Sequence, residues 1–230
     1  MALDLERVLG LCFDVDGTLR DTDDQYVDRL ARYLNRIKPI LPRRDTRIIA
    51  RRMIMAIEDP GNLALDLADR LHIDNLTASL LQGRHLHRRR NPAPSPAIPG
   101  VNEMLAALSQ RYPMAIVSTR DESSTLDFLE GQALAGLFQV IVTGQTCQRT
   151  KPHPMPVRWA AQQMGVATEQ CLMIGDTTVD IRAGRAAGAQ TVGVLCGFGT
   201  RYELTKAGAH LVLESTADLA GYLLGPGPAQ

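Results

Sequence analysis

Short apolar segments alternate with segments of helical periodicity along the second half of the chain. The run from Val8 to Phe13 has the composition of a central parallel strand. From residue 101 onward the pattern predicts helices over 101–110, 123–130, 155–164 and 179–187, and strands over 114–117, 139–142, 171–174 and 191–195. A strand over 210–213 and a helix over 217–224 are predicted to follow. This alternation predicts an α/β fold with a doubly wound parallel sheet.

Residues 25–90 show a different pattern, in which every periodic segment has helical spacing. Apolar residues recur at intervals of three and four positions, as at Tyr26, Leu30, Tyr33, Leu34 and Ile37. The proline-rich segment from Asn91 to Pro99 excludes helix and is predicted to be a stiff connector. We therefore predict an α/β core domain formed by residues 1–19 and 97–230, and an inserted all-helical domain formed by residues 20–96.

Composition narrows the class of protein. Hydrophobic residues make up 45% and charged residues 22% of the 230 positions, which is typical of a packed globular protein. The 25 basic residues equal the 25 acidic ones, so no global charge favours nucleic acid or a membrane surface as a partner. The first residues do not resemble a signal peptide, and we expect a cytoplasmic protein. The four cysteines lack metal-ligand spacing and are predicted to be buried free thiols.

Polar residues follow the predicted strands at the points where these strands end. Asp14 and Asp16 come directly after the first strand, and Ser118 and Thr119 follow the strand over 114–117. Each feature has a structural alternative, because Asp-Gly sequences form turns and Ser or Thr residues cap helices. Alone, neither pair identifies a site.

Two further strand ends carry charged residues. Lys151 precedes the helix over 155–164, where an isolated lysine is usually solvated. Asp176 ends the strand over 171–174, and Asp180 follows four positions later, where an acidic residue also favours a helix N-terminus. Because the carboxyl ends of parallel strands meet at one edge of a sheet, we expect all these groups to form one active site.

Together these residues resemble the four motifs of the haloacid dehalogenase superfamily. The motifs are Phe13-Asp-Val-Asp-Gly-Thr-Leu19, Ser118, Lys151 and Gly175-Asp-Thr-Thr-Val-Asp180. The flanking segments, Lys151-Pro-His-Pro154 and Ala183-Gly-Arg-Ala-Ala-Gly-Ala189, are similar to those of the phosphoglycolate phosphatase-like branch. In that branch the insertion between the first two motifs is a helical cap, which here corresponds to residues 20–96.

The resemblance implies a phosphatase that carries the phosphoryl group on Asp14. Asp14 would be the nucleophile, and Asp16 would give a proton to the leaving oxygen and later take one from water. Magnesium would be held by the Asp14 carboxylate, the Asp16 backbone carbonyl and Asp176. Asp180 would orient Lys151 or a metal-bound water.

The resemblance also implies a phosphate-binding set. Ser118, Thr119 and Lys151 would surround the transferring oxygens. Gly17, in the first motif, would also bind phosphate. Arg20 and Arg120 are candidates for binding an anionic substrate, although a solvated arginine is the alternative at both positions.

Three other functions stay open at this point. A phosphosugar mutase or other phosphotransferase would use the same groups and return the phosphoryl group to a substrate. A phosphonatase-like enzyme needs a lysine in the cap, and Lys38 is the only one there. A catalytically idle binding or regulatory protein is a further alternative, which the intact acidic motifs argue against. The expected partner is a small phosphorylated metabolite, and the sequence indicates neither its identity nor an oligomeric state.

Overall fold

The chain forms a parallel β-sheet with helices on both faces. The computed structural model describes residues 3–21 and 96–225. Its strands, in chain order from β1 to β6, are Gly10–Phe13, Met114–Val117, Val140–Val142, Cys171–Gly175, Gln190–Val194 and Leu211–Leu213. Its α-helices, in chain order from α1 to α6, are Val101–Ser109, Glu122–Gly131, Met155–Gln163, Thr178–Ala187, Arg201–Ala207 and Leu219–Leu224.

The sheet has six strands in the order β3-β2-β1-β4-β5-β6, all parallel. Strand β1 lies at the centre, where Leu11 is in register with Met114 of β2 on one side and Leu172 of β4 on the other. The strand order reverses direction at β1, and ligands of doubly wound folds bind at the carboxyl ends of strands at such a point. The predicted fold class is confirmed.

Two apolar layers cover the two faces of the sheet, and alternate residues of β1 belong to different layers. Leu11 and Phe13 pack with helices α1, α2 and α6, whereas Cys12 packs with α3 and α4. The layer that contains Cys12 has many small side chains, so α4, which belongs to this layer, lies close to the sheet. A methyl group built at Gly184 would lie 2.6 Å from Thr191 Cγ2. Burial on both faces explains why the strands read as continuous apolar runs.

The boundaries of the predicted core elements agree with the structure to within about two residues, as expected of pattern reading, with two differences. Helix α5 was not predicted, although Thr200 and Glu203 form a capping box at its start. The helix predicted over 217–224 is divided into a 3-10 turn, Thr216–Asp218, and α6. Both errors concern short elements near the sheet edge, where few apolar positions mark the period.

The chain segments on either side of residues 22–95 lie side by side. The Asp21 backbone N–H donates to the Pro96 carbonyl oxygen at 3.0 Å, and the Ile98 N–H donates to the Leu19 carbonyl oxygen at 2.9 Å. The helices predicted between residues 25 and 90 lie outside the described residues. The division into a core domain and an inserted domain over residues 20–96 therefore stays a prediction.

All four cysteines are free thiols, as predicted. Cys12 and Cys171 are buried, but the predicted burial is wrong for Cys147 and Cys196, which are only partly buried because both lie in loops outside the strands. Among the described helices, none has the length and apolar character needed to cross a membrane.

Candidate active site

The predicted site residues converge at the carboxyl edge of the sheet, around the end of β1. A cavity of about 250 Å³ opens there, lined by Asp14, Asp16, Thr119, Lys151, Thr177, Val179, Asp180 and Phe198. A larger depression of about 800 Å³ lies between β6, α5 and α6, but it contains none of the predicted site residues. Its charged lining includes an exposed ion pair between Arg201 and Glu214. The smaller cavity is therefore the better candidate for chemistry.

Lys151 joins two buried carboxylates. Its Nζ donates to Asp14 Oδ1 at 2.7 Å and to Asp180 Oδ1 at 2.6 Å. Burial alone would lower the pKa of Lys151, but the charges of Asp14 and Asp180 raise that pKa above its usual value. The ammonium group thus stays protonated, and its position is fixed from two sides.

Asp14 lies at the end of β1 with little exposure to solvent. Burial raises the pKa of Asp14 to about 7, and the charge of Lys151 opposes this effect while that of Asp180 adds to it. One ammonium group therefore does not fully compensate the buried negative charge around Asp14. A further cation at this position would favour the ionised carboxylate.

The first turn of α4 holds Asp180. Asp180 Oδ2 accepts hydrogen bonds from the Thr177 backbone N–H at 3.0 Å and from the Thr177 hydroxyl at 2.7 Å. A methyl group built at Gly175 would lie 2.5 Å from the same oxygen, so the strand end must carry a glycine there. Both carboxylate oxygens of Asp180 are engaged, which suits a residue that orients Lys151.

Asp176 is fully buried. The backbone at Gly17, Gly197 and Phe198 packs around its side chain, and we call these three residues the Asp176 cradle. Asp176 Oδ1 accepts a hydrogen bond from the Thr18 hydroxyl at 3.3 Å, and its Oδ2 accepts one from the Phe198 backbone N–H at 2.7 Å. Gly17, which has a positive φ of 72°, packs against it: a methyl group there would lie 2.7 Å from Asp176 Cγ. Phosphate binding by Gly17 stays a prediction, and its backbone N–H donates to the Arg20 carbonyl oxygen at 2.9 Å.

The loop after β5 was missing from the predicted site. A methyl group built at Gly197 would lie 2.5 Å from Asp176 Cβ, and the next residue, Phe198, supplies the backbone donor to Asp176 and lines the cavity. The glycines at 197 and 199 were the available sequence signal, because closely spaced glycines after a strand mark a close approach of backbone.

Three buried carboxylates form a candidate metal centre. Asp14, Asp176 and Asp180 offer oxygen atoms that all lie within 4.8 Å of one another. Carboxylate oxygens are preferred ligands of hard divalent cations, and three carboxylates beside one lysine leave excess negative charge. The donor set therefore fits a divalent cation. The Asp16 carboxylate is not part of this group. The use of its backbone carbonyl as a ligand stays a prediction.

Asp16 faces two arginines. Arg120 Nη1 donates to Asp16 Oδ1 at 2.7 Å and to Asp16 Oδ2 at 2.8 Å. Arg20 Nη1 lies 3.8 Å from Asp16 Oδ1, and its guanidinium group lies over the Phe128 ring, 5.8 Å from the centroid. Both arginines are candidates for binding an anionic substrate, with a solvated arginine as the alternative, and both lie beside a carboxylate of the protein itself.

Ser118 and Thr119 follow β2, as predicted, but they differ in exposure. Ser118 is buried, and its Oγ accepts a hydrogen bond from the Arg120 backbone N–H at 3.2 Å. Thr119 is exposed and belongs to the described residues that line the cavity, whereas Ser118 does not. Thr119 is therefore the more accessible of the two to a ligand in the cavity.

Comparison with known proteins identifies the family. A family model described as haloacid dehalogenase-like hydrolase matches residues 11–194. Phosphoglycolate phosphatase of Nitrosococcus oceani is 28% identical over 225 residues, which cover 93% of this chain and 95% of that protein. The resemblance inferred from the four motifs is thus confirmed.

Solved structures of similar proteins agree with this family assignment. The crystal structure of a hydrolase from Pseudomonas syringae is 28% identical with a TM-score of 0.64, and the match covers 96% of this chain and 100% of that one. A HAD family hydrolase from Deinococcus radiodurans, solved with bound phosphate and sodium, is 25% identical with a TM-score of 0.64, over 94% and 95% of the two chains. The arrangement of strand-end acids, the fold and the family match lead to one conclusion: the chain belongs to the haloacid dehalogenase-like hydrolases.

Proposed function

We propose that this protein is a magnesium-dependent phosphatase that transfers the phosphoryl group of a small phosphomonoester first to Asp14 and then to water. The observation that carries the proposal is the buried Asp14 carboxylate at a cavity of about 250 Å³. This carboxylate accepts a hydrogen bond from Lys151 and lies close to the Asp176 carboxylate. The relative from Nitrosococcus oceani is a phosphoglycolate phosphatase, and the Deinococcus radiodurans hydrolase binds phosphate and sodium. Both support a phosphate-binding site here.

The first step forms a bond between a carboxylate oxygen of Asp14 and phosphorus. The ester bond between phosphorus and the leaving oxygen breaks, and Asp16 gives that oxygen a proton. Asp14 needs no base for this attack when it is ionised. Its position beside Lys151 and at the end of β1 fixes the direction from which it reaches the substrate.

The second step returns Asp14 to its starting state. A water molecule attacks phosphorus, Asp16 takes a proton from this water, and the bond between Asp14 and phosphorus breaks to release inorganic phosphate. Asp16 lines the same cavity as Asp14, as this dual role requires. Asp16 gives a proton as a carboxylic acid in the first step and regains one as a carboxylate in the second, so the cycle balances.

Asp14 and Asp176, with the Asp16 backbone carbonyl, would hold the magnesium ion. When bound, it would neutralise negative charge on the phosphoryl oxygens and on the carboxylates around Asp14. Asp176 is prepared for this role because Thr18 and Phe198 fix both of its oxygens.

Lys151 and Thr119 would bind the remaining phosphoryl oxygens at the cavity wall, with Ser118 supporting the loop behind them. The Lys151 ammonium stays charged because Asp14 and Asp180 raise its pKa. A fixed cation in a site with little water stabilises the charge that shifts during phosphoryl transfer.

The proposed substrate is a small metabolite such as a phosphoglycolate-like acid or a sugar phosphate. A cytoplasmic location belongs to the same proposal, since free thiols such as the four here are typical of reducing compartments.

The test is the release of inorganic phosphate from a panel of phosphomonoesters with magnesium present. We expect turnover by the wild-type protein, and a loss of at least about a thousandfold in Asp14→Asn, because the amide keeps the shape but is not a nucleophile. Circular dichroism should show a native spectrum for this variant. Wild-type activity in Asp14→Asn would refute the proposed mechanism, and transfer to a second substrate without phosphate release would favour a phosphotransferase.

A further inference from the structure

Arg120 contacts Asp16, which lines the cavity, and the reaction described above does not use this contact. Its guanidinium is bound to Asp16 by a single nitrogen, Nη1, which lies 2.7 Å and 2.8 Å from the two carboxylate oxygens. Hydrogen bonds between a guanidinium and a carboxylate are among the stronger ones in proteins. Arg120 therefore engages both oxygens of the group that is proposed to transfer protons.

Arg120 is itself held at both ends. Its backbone N–H donates to Ser118 Oγ at 3.2 Å, and its carbonyl oxygen accepts from the Gly144 N–H at 2.8 Å. Its side-chain Nε donates to Ser124 Oγ at 3.2 Å. The guanidinium thus has little freedom to leave the position in which it meets Asp16.

The first turn of α2 completes this chain of contacts. Asp121 is the N-cap of α2, and its side chain accepts from the Ser124 N–H at 2.9 Å and from the Ser124 hydroxyl at 2.7 Å. Hydrogen bonds from Ser124 lower the pKa of Asp121, so this cap stays ionised. A rigid helix end therefore fixes Ser124, and Ser124 fixes the guanidinium of Arg120.

A contribution to stability does not explain this arrangement. The side chains of Arg120 and Asp16 are 26% and 29% exposed, and ion pairs with such exposure add little to folding free energy. A free Asp16 side chain could adopt several rotamers. In the structure Asp16 contacts Arg120 and lines the cavity.

We propose that Arg120 is a positioning residue, which holds the Asp16 carboxylate at the cavity wall so that it meets the leaving oxygen of the substrate. This inference rests on the proposed function, since it gives Arg120 a task in the same reaction. It replaces the expectation that Arg120 binds an anionic substrate directly.

The test uses two substrates that differ in their need for a proton. The leaving oxygen of an alkyl phosphate such as phosphoglycolate requires protonation, whereas 4-nitrophenolate leaves as a stable anion. The ratio kcat/KM reports the steps up to transfer to Asp14, so the later hydrolysis of the phosphorylated enzyme does not affect it. We expect Arg120→Met to lower kcat/KM for phosphoglycolate, or for the best alkyl phosphate of the panel, by about 10- to 100-fold, part of what a general acid contributes. For 4-nitrophenyl phosphate the loss should be below about threefold, since no proton is required there.

Arg111→Met is the matched control. Arg111 is exposed and lies before β2, at the opposite end of the strand that Arg120 follows, with its guanidinium over the Tyr112 ring. We expect this variant to keep wild-type kinetics on both substrates. Arg120→Lys should recover much of the lost activity, because one ammonium nitrogen can also contact both oxygens of Asp16.

A double-mutant cycle tests whether Arg120 acts through Asp16. In an Asp16→Asn background, Arg120→Met should cause no further loss with the alkyl phosphate. A full additional loss in that background would overturn the inference, as would equal losses of Arg120→Met on both substrates, which would indicate binding of the phosphoryl group or structural damage. Wild-type protein without turnover of any phosphomonoester would refute the proposed function and this inference together. Turnover by the wild type with an unaffected Arg120→Met would refute the inference alone.

Discussion

Gly197→Ala should weaken magnesium binding without changing any ionisable group. The methyl group would lie 2.5 Å from Asp176 Cβ and nearer still to its carboxylate, whereas real Cβ atoms essentially never approach a heavy atom closer than 3.0 Å. Gly197 is not among the glycines with positive φ, so alanine meets a contact problem and no backbone strain. Asp176 must therefore move by at least several tenths of an ångström.

Asp176 has little room for that movement. Gly17 also packs against its carboxylate, and the Phe198 N–H binds its Oδ2 at 2.7 Å. Overpacking of this kind costs about 1–3 kcal/mol of folding free energy. Displacing Asp176, the proposed metal ligand, should also raise the magnesium concentration for half-maximal activity by about 10- to 100-fold, as when the supports of metal ligands are removed.

The assay measures phosphate release against magnesium concentration, together with thermal unfolding followed by circular dichroism. Gly221→Ala is the control, because no described residue other than its chain neighbours and the backbone of α6 lies within 4 Å of its Cβ position. It should keep the wild-type magnesium requirement and stabilise the fold by about 0.5–1 kcal/mol, since alanine favours a helix over glycine. A Gly197→Ala protein with wild-type magnesium dependence and stability would refute the account of the Asp176 cradle.

Two further predictions concern the metal and the sheet edge. Asp176→Asn should keep the fold, because an amide can still exchange hydrogen bonds with Thr18 and the Phe198 N–H, but magnesium should no longer raise its melting temperature as it does for the wild type. An equal magnesium-dependent shift in both proteins would exclude Asp176 as a ligand. Thr200→Ala should destabilise the protein by about 1 kcal/mol in urea unfolding, because it removes the capping box with Glu203 at the start of α5. An unchanged unfolding midpoint would show that this cap does not contribute.

The parallel core could be predicted from the sequence because its strands are buried on both faces. Strands such as Met114–Val117 are fully buried, so they appear as apolar runs between helical segments. Helix α5 was missed because it has only seven residues and buries only Leu204, too few positions to establish a helical period. Its capping box was the remaining signal.

The site could be predicted in part for a similar reason. Asp14 and Asp176 directly follow strands, and Lys151 lies in the loop between β3 and α3, so the charges of these side chains indicate the chemistry. Phe198 supports Asp176 through its backbone N–H, which no residue type reveals. The pairing of Arg120 with Asp16 joins residues 104 positions apart, and spacing along the chain cannot predict such a contact.

The proposed covalent transfer to Asp14 is tested most directly by trapping the phosphorylated enzyme. The protein is mixed with magnesium and with substrate that carries radioactive phosphorus, and the reaction is quenched in acid within one turnover. The protein is then digested, and its peptides are analysed by mass spectrometry. We predict label on the peptide that contains Asp14, loss of that label with hydroxylamine, as expected of an acyl phosphate, and no label in Asp14→Asn. Full turnover of substrate by the wild-type protein with no labelled peptide, or with the label on another residue, would contradict the account.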